Sequence, residues 1–401
     1  MYRLSTHDTI DAIPAAEWNH LTDADTPFLR HEFIAAMEHH GCVGEALGWV
    51  PHHLALRDTA GRLLAAAPCY LKFNSYGEFV FDWSWAEAYR RHGLAYYPKL
   101  VVASPYTPAT GPRLLTADTD RRAEYARALA DGAVRIAERL GLSSLHWLFT
   151  TDAETDLLEA QGLMRRVGCQ FHWTNPGYPT FDDFLATFTA EKRKKVRRER
   201  RRVQEAGIRI RRVPGDEVSE AEWTIFHQLY RDTFDKRGGI PTLSLPFFQE
   251  IGATMGRNLL LVFAEHGRKI VAAAFNLVGK HSLFGRHWGC FADFHSLHFE
   301  ACYYQGLEHC IAAGLTRFEP GAQGEHKVSR GFLPTPTWSA HWIADQGFRK
   351  AISHFLVEET RGMTEYHGEM HGHSPTARTL KGEPTMNANN LRLRHKRQSP
   401  R

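Results

Sequence analysis

The residues best suited to acid–base chemistry lie in one short segment, residues 319–327, which reads EPGAQGEHK. This segment places two carboxylates, an amide, an imidazole and an ammonium group within nine residues. A carboxylate or an imidazole can act as a general base, and an ammonium group can stabilise a developing oxyanion. Such a cluster is either a reaction site or a solvated surface loop, and we take the reaction site as the working hypothesis.

The elements on either side of this segment favour a site. Residues 297–314 carry apolar and aromatic side chains at helical spacing, and Gly314 is a typical helix end. A short β-run at residues 315–318 follows, and the glycines after it predict a loop. Because side chains at the carboxyl end of a strand converge on a crevice in α/β folds, we expect this loop to line one.

Length and composition limit the class of protein. A chain of 401 residues with 43% hydrophobic content is expected to fold into two domains. The six cysteines form no CxxC pair, which favours a reducing, cytoplasmic setting. The chain has no apolar run near 18 residues, no signal-peptide pattern, no P-loop and no dinucleotide-binding glycine motif. No membrane span, tightly bound cofactor or metal is therefore expected.

Positive charge is concentrated in one predicted helix. Residues 192–202 carry nine Lys or Arg against a single acid, Glu199, whereas the net charge of the whole chain is +4. The helix is either a solvated linker or an anion-binding surface, and phosphates are the natural counter-charge. We assign donor-phosphate binding to Lys192, Arg193, Lys194 and Arg197. RNA binding and peripheral contact with an anionic membrane are the alternative uses.

An internal repeat predicts how the chain is divided. The hairpin pattern of residues 54–68 recurs at 261–275, and the helix–glycine–strand pattern of 137–149 recurs at 310–322. The same order of patterns in both halves predicts two copies of one α/β unit. The predicted parts are domain 1 at residues 1–178, a basic connecting helix at 179–207, domain 2 at 208–361 and a disordered basic tail at 362–401.

Several longer motifs resemble a known family. They are WN at 18–19, PFLRHEF at 27–33, SYGEFVFDWSW at 75–85, YYPKL at 96–100, QFHW at 170–173, KRK at 192–194, GRHWGC at 285–290, LHFE at 297–300 and GAQGEHK at 321–327. Over nearly all of residues 1–360 the chain resembles the FemAB-like predicted N-acyltransferases, which are relatives of the GNAT acetyltransferases. The resemblance implies an α/β fold of tandem GNAT-like domains, each with a mixed twisted sheet flanked by helices.

The resemblance also implies a reaction. It implies transfer of an acyl or aminoacyl group to an amine, with acyl-CoA or aminoacyl-tRNA as co-substrate. The acceptor would be a small molecule, a peptide or a cell-wall precursor. The glycine-rich loop with which GNAT enzymes bind acetyl-CoA is absent, because residues 286–296 read RHWGCFADFHS.

Amine acylation requires a base, oxyanion support and a proton for the leaving group. Glu319 is the first candidate for the base and His326 the second. Lys327 or Arg330 would stabilise the oxyanion or a donor phosphate. Glu300 is either a member of a structural ion pair or part of the site.

The expected substrate-binding residues come from four parts of the chain. Asp82 lies among large rings at residues 78–89, a segment that is predicted to begin as a strand, and it either accepts structural hydrogen bonds or contacts a cationic ligand. A proline-rich rigid loop spans residues 105–113. The full expected set is Asp82, Trp83, Trp85, Tyr106, Arg113, Arg286, His287, Glu300, Tyr303, Gln323 and Arg330. Two alternatives to an enzyme remain: a non-catalytic RNA-binding protein and an inactive cell-envelope scaffold.

Overall fold

The computed structural model describes residues 2–322 and 324–376. Its strands are β1 Tyr2–His7, β2 Trp49–Pro51, β3 His53–Asp58, β4 Leu63–Ala67, β5 Cys69–Lys72, β6 Lys99–Val102, β7 Leu115–Thr116, β8 Ser144–Thr150, β9 Met164–Thr174, β10 Ile208–Pro214, β11 Leu259–His266, β12 Lys269–Val278, β13 Ser282–Cys290, β14 Arg317–Glu319 and β15 Leu333–Ile343.

The α-helices are α1 Ala15–Leu21, α2 His31–His39, α3 Trp83–Arg91, α4 Arg122–Arg139, α5 Asp152–Ala160, α6 Phe181–Ala186, α7 Ala190–Glu205, α8 Glu220–Arg237, α9 Leu245–Met255, α10 Leu297–Phe299, α11 Gln305–Ala313 and α12 Gln346–Gly372. A π-helical turn, Glu300–Tyr304, joins α10 to α11. Thr180 and Thr189 cap α6 and α7, because their hydroxyl oxygens accept from the backbone N–H groups of Asp183 and Lys192. No helix in the described part of the chain is both long enough and apolar enough to cross a membrane.

Most of the strands form one mixed sheet of eleven strands in the order β10-β11-β12-β13-β14-β9-β15-β8-β6-β5-β2. Strands β1, β3, β4 and β7 form a smaller sheet. In the large sheet β9 pairs with β14 along one edge and with β15 along the other, and β15 in turn pairs with β8. The last strand of each half is therefore hydrogen-bonded to strands of the other half.

This pairing of strands between the two halves changes the predicted division into two domains. The same order of elements does recur in both halves, and the hairpins β3–β4 and β11–β12 lie where the repeat predicts them. However, the sheet is continuous across the proposed boundary, and the largest hydrophobic cluster contains residues of both halves. Phe28 packs against Phe284 with ring centroids 5.1 Å apart. The repeat thus exists within one shared core.

Two local predictions were wrong. Residues 78–82 do not begin a strand, because the Glu78 and Asp82 carboxylates turn inward to the buried Lys99 ammonium and the chain then enters α3. The tail does not start at residue 362, because α12 continues to Gly372 and buries Met370 against the core. Residues 377–401 of the predicted tail lie outside the described residues.

We predict that the two halves unfold together. Separating them would break the backbone hydrogen bonds on both edges of β9 and divide the shared hydrophobic cluster, so neither half can open without disrupting the other. Tryptophan fluorescence and far-UV circular dichroism should therefore report one coincident urea transition. Two resolved transitions would show that the halves are independent.

Candidate active site

A cleft of about 700 Å³ opens where β13 and β14 separate. These parallel strands pair only over Ser282–Phe284 of β13, and β13 then continues without β14 beside it. The freed part of β13, the loop after β14, the helix α8, the helix that begins at Leu297 and the loop of residues 75–83 surround the opening. The loop of residues 319–327 therefore reaches a crevice at a strand end, as the sequence predicts.

The described residues that line the cleft include cations and histidines but no carboxylate. The cations are Arg237, Arg286 and Lys327, and the histidines are His287, His298 and His326. Neither Arg286 nor Lys327 forms an ion pair with any described acid, although Lys327 is almost fully buried. Such a site favours an anionic ligand or a reaction that develops negative charge.

Desolvation shifts the pKa values of buried Lys327 and of half-buried Arg286. Desolvation lowers the pKa of Lys327 to about 8 and that of Arg286 to about 10. The Lys327 ammonium donates a hydrogen bond of 2.7 Å to the carbonyl oxygen of Gly321, which fixes its position in the loop after β14. The Arg286 guanidinium donates to the carbonyl oxygen of Tyr106.

His326 and Tyr303 form a second pair in the cleft. The Tyr303 hydroxyl and His326 Nε2 share a hydrogen bond of 2.9 Å. Tyr303 lies in the π-helical turn, and His326 lies in the short 3₁₀ helix Glu325–Arg330. Partial burial, then the charges of Arg330 and Lys327, lower the pKa of His326, so its ring is neutral near pH 7. A neutral imidazole is the form that can accept a proton.

Glu319 does not line the cleft. Its carboxylate is buried and accepts a hydrogen bond of 3.3 Å from the backbone N–H of Thr110, and Arg317 Nε lies 3.4 Å from its other oxygen. Burial raises the pKa of Glu319 to about 7 despite the charge of Arg317. The structure therefore does not place Glu319, the first candidate for the base, in the cleft with His326 and Lys327.

Of the aromatic cluster at residues 82–85, only Trp83 faces the cleft. Asp82 is buried, pairs with Lys99 and accepts a 2.5 Å hydrogen bond from the Tyr96 hydroxyl. Trp85 is buried against His341, with ring centroids 5.1 Å apart. Of the two predicted roles of Asp82, the structure shows the one in which its carboxylate accepts structural hydrogen bonds.

The rigid loop of residues 105–113 lies beneath the cleft. Tyr106 donates from its hydroxyl to the carbonyl oxygen of Cys42 at 2.9 Å, and its own carbonyl accepts from Arg286. Arg113 is fully buried and donates to the carbonyl oxygen of Ala109 at 2.8 Å. Neither of these two side chains lines the main cleft, although Pro108 of the same loop does, and the loop also holds Arg286 through the Tyr106 carbonyl oxygen.

Two other predicted site residues tie the basic helix α7 to the core. Glu300 is buried and pairs with Arg200 at 3.0 Å. Arg330 is buried, pairs with Glu199 at 2.8 Å and covers the ring of Phe299. Both are structural ion pairs, and Gln323 lies outside the described residues.

Most of the cations of α7 remain at the surface. Arg197 pairs with Asp182 at 2.9 Å, and Arg193 donates to the carbonyl oxygen of Ala186 at 3.3 Å. Within the described chain no carboxylate pairs with Lys192, Lys194, Lys195, Arg198 or Arg201. Lys192 borders a second cavity that shares His326 with the main cleft.

Sequence reasoning missed Arg237, His298, Asn276 and Thr233, all of which line the cleft. His298 lies in the LHFE motif at the start of a predicted helix, and this position could have indicated that it belongs to the site. Arg237 and Thr233 lie on α8, which carries no local pattern that separates cleft residues from solvated ones.

The sequence matches the model of the FemAB-like family, which is described as peptidoglycan biosynthesis/recognition, over residues 9–378. The chain belongs to the FemAB-like family. Membership supports an acyl or aminoacyl transferase at the level of the family. No curated protein matches the sequence.

Solved structures resemble this FemAB-like chain in fold. FemX is 11% identical with a TM-score of 0.53, and the match covers 88% of this chain and 100% of FemX. The C-terminal domain of a putative lysylphosphatidylglycerol synthetase from Agrobacterium fabrum is 11% identical with a TM-score of 0.51, covering 86% and 95%. A tandem GNAT protein from the clavulanic acid biosynthesis pathway is 12% identical with a TM-score of 0.46, covering 86% and 99%.

The predicted fold class is confirmed. The mixed sheet flanked by helices, the repeated order of elements and the likeness to FemX agree with an α/β fold of GNAT-like units.

We predict that Glu319→Gln makes stability less dependent on pH. The pKa of Glu319 is raised in the folded state, so the wild type loses stability as pH rises from about 4.5 to about 7, while the isosteric amide does not titrate. Across this pH window the wild type should lose roughly 3 kcal/mol of unfolding free energy relative to the variant.

Urea unfolding between pH 5 and pH 8 measures this difference. Glu45→Gln, at an exposed position, is the control and should follow the wild type. A constant offset between Glu319→Gln and the wild type at all pH values would contradict a raised pKa at Glu319.

Proposed function

We propose that this protein is an N-acyltransferase that passes an acyl group directly from an activated donor to an amine in the main cleft. The observation that carries the proposal is the meeting of Lys327 with the His326–Tyr303 pair in a cleft whose described lining contains no carboxylate. The His326 imidazole can accept a proton at neutral pH, and the Lys327 ammonium can face an oxyanion. Membership of the FemAB-like family supports the reaction type.

In the proposed reaction the amine nitrogen forms a bond to the donor carbonyl carbon. The carbonyl oxygen gains negative charge, which the Lys327 ammonium stabilises. The bond between that carbon and the sulfur or oxygen of the leaving group then breaks. The proton of the amine passes to His326, which returns it to the leaving sulfur or oxygen, so no covalent acyl-enzyme is needed.

The charge of the cleft also acts on the acceptor. An amine attacks only as the free base, and nearby cations lower the pKa of an incoming ammonium. Arg237, Arg286 and Lys327 therefore favour the reactive form of the acceptor before His326 acts. The acceptor is an amine of a small molecule, a peptide or a cell-wall precursor.

The donor is acyl-CoA or aminoacyl-tRNA, and both carry phosphates. The surface cations of α7 provide a phosphate-binding surface that extends from Lys192, which borders the cavity on the other side of His326. A polymeric donor would use the length of this helix, whereas a coenzyme A thioester would need only a part of it.

We predict a bell-shaped dependence of turnover on pH. Turnover should fall on the acid side of the ordinary histidine range, because the pKa of His326 is lowered and its ring becomes protonated only there, and should fall above about 8, where Lys327 loses its charge. His326→Ala should lower turnover by roughly 10²–10⁴. Lys327→Arg should move the alkaline limb upward.

The control for these variants is His354→Ala, which changes an exposed histidine on α12. Its profile should match that of the wild type. Full turnover in His326→Ala would exclude this imidazole as the base and would return attention to Glu319.

We predict that the basic helix separates the two donors. Replacing Lys194, Arg198 and Arg201 by Gln removes three surface charges without breaking a described ion pair. If the donor is aminoacyl-tRNA, binding of charged tRNA should weaken roughly tenfold or more and lose part of its salt dependence. Binding of acyl-CoA should change less than threefold.

The matched control removes three charges from α4, with Arg122, Arg127 and Arg135, all exposed, changed to Gln. Tight, salt-sensitive tRNA binding with no turnover in any assay would favour the RNA-binding alternative. Loss of acyl-CoA binding in the α7 variant would place coenzyme A phosphates on this helix.

A further inference from the structure

The exposed aromatic side chains of the protein are concentrated beside the cleft. In the described chain seven aromatic side chains are strongly exposed, and five of them lie between residues 73 and 83. Four of the five line the cleft, with exposed fractions from 40% to 64%, and we call them the aromatic wall: Tyr76, Phe79, Phe81 and Trp83. A contiguous exposed apolar surface of this kind marks a binding site more often than chance.

The aromatic wall is held in place by buried charges behind it. Lys99, with its ammonium fully enclosed, donates to Glu78 at 2.8 Å and to Ser75 at 3.0 Å, and it also pairs with Asp82. These partners lie between and beside the exposed rings in the sequence. The backbone that carries the rings is therefore fixed from within.

The ends of the wall are fixed as well. The indole N–H of Trp49 donates to the carbonyl oxygen of Tyr76 at 3.0 Å. Arg166 donates to the carbonyl oxygen of Phe81 at 2.9 Å while pairing with Glu359. The backbone that carries the rings is thus held at both ends of the wall, which preorganises this apolar surface for a ligand.

The chemistry of the whole cleft limits what the ligand is. Its described lining combines the aromatic wall with the cations Arg237, Arg286 and Lys327 and contains no carboxylate. An aminoacyl group would bring its own ammonium into this cationic space without an acid to pair with. A hydrocarbon acyl group brings no charge and gains from contact with the rings.

The geometry of the rings argues against a stacked base. Tyr76 and Trp83 meet edge to face, with centroids 5.0 Å apart and an interplanar angle of 65°. This pair offers no two parallel faces between which a planar base could lie. An aliphatic chain needs no such parallel arrangement.

We propose that the aromatic wall is the subsite for a long hydrocarbon chain of the transferred acyl group, so that the donor is a long-chain acyl thioester of coenzyme A. The inference rests on the proposed function and names the class of donor for the same cleft. The chain lies against Tyr76, Phe79, Phe81 and Trp83, while the cations of the cleft face the anionic part of the donor and the reacting carbonyl.

The proposal predicts that affinity rises with chain length. Each methylene removed from water should tighten binding roughly two- to fourfold. Calorimetric titration of the full-length protein with coenzyme A and its acetyl, hexanoyl and dodecanoyl thioesters, below their micellar concentrations, measures this dependence. We expect dodecanoyl-CoA to bind at least 100-fold more tightly than acetyl-CoA.

The wall variant, Tyr76→Ala with Phe81→Ala, should reduce that ratio to below tenfold and leave coenzyme A affinity unchanged. The control, Phe291→Ala with Phe355→Ala, removes two exposed aromatic rings outside the cleft and should keep the full ratio. Both variants change exposed side chains, so circular dichroism and urea unfolding should match those of the wild type.

Equal affinity of the wild type for acetyl-CoA and dodecanoyl-CoA would overturn the proposal. A wall variant that keeps the full ratio of dodecanoyl-CoA to acetyl-CoA affinity would also overturn it. The same conclusion would follow if the only defect of the wall variant were weaker binding to phosphatidylglycerol vesicles. The proposed function is tested separately: loss of amine acylation in His326→Ala with any donor would support it even if the chain-length ratio were absent. Chain-length-dependent binding would support the subsite even if His326→Ala kept full turnover.

Discussion

The hydrogen-bonded exchange of strands in the centre of the large sheet determines how the rest of the molecule is arranged. Strand β9 of the first half lies between β14 and β15 of the second, and β15 carries the sheet on to β8. Backbone hydrogen bonds, together with the shared hydrophobic core, therefore set the orientation of the two halves. Because that orientation is fixed, the loop of residues 75–83 from one half and strand β13 from the other enclose the same cleft.

The cleft itself follows from a mismatch in strand length. Strand β14 contains three residues, whereas β13 contains nine. Where β14 ends, the chain leaves the sheet through Pro320 and the glycines that follow, and the remaining part of β13 is left to line an opening. The same separation brings Lys327 and His326, from the departing loop, opposite Arg286 on β13.

Buried charge is used in two different ways. Where it supports the fold, two buried cations are paired with acids: Lys99 pairs with Glu78 and Asp82, and Arg330 pairs with Glu199. Where it faces the cleft, Lys327 has no described acid beside it, and desolvation lowers its pKa to about 8. An unpaired buried cation is costly to the fold, and a partner with negative charge in the reaction would supply the missing counter-charge.

The local elements could be predicted from the sequence because their causes are local. The helix from Leu297, its end at Gly314, the two hairpins and the caps of α6 and α7 each depend on residues a few positions apart. The glycine-rich loop at residues 319–327 could also be predicted from its own residues, and it does reach a crevice. The long motifs that resemble the FemAB-like family are likewise readable in the sequence alone.

The tertiary structure decided which of the polar side chains face that crevice. Glu319 and Asp82 were predicted from their chemical type, yet pairing within the sheet and with Lys99 buries both away from the cleft. Arg237 and Thr233 face it because α8 packs across β13, a contact that no local pattern encodes. The sequence by itself determined the elements and their chemistry, since these depend on near neighbours. The assembled site depends on strand pairing between residues more than one hundred positions apart, such as Trp173 with Phe318, and only the folded chain brings them together.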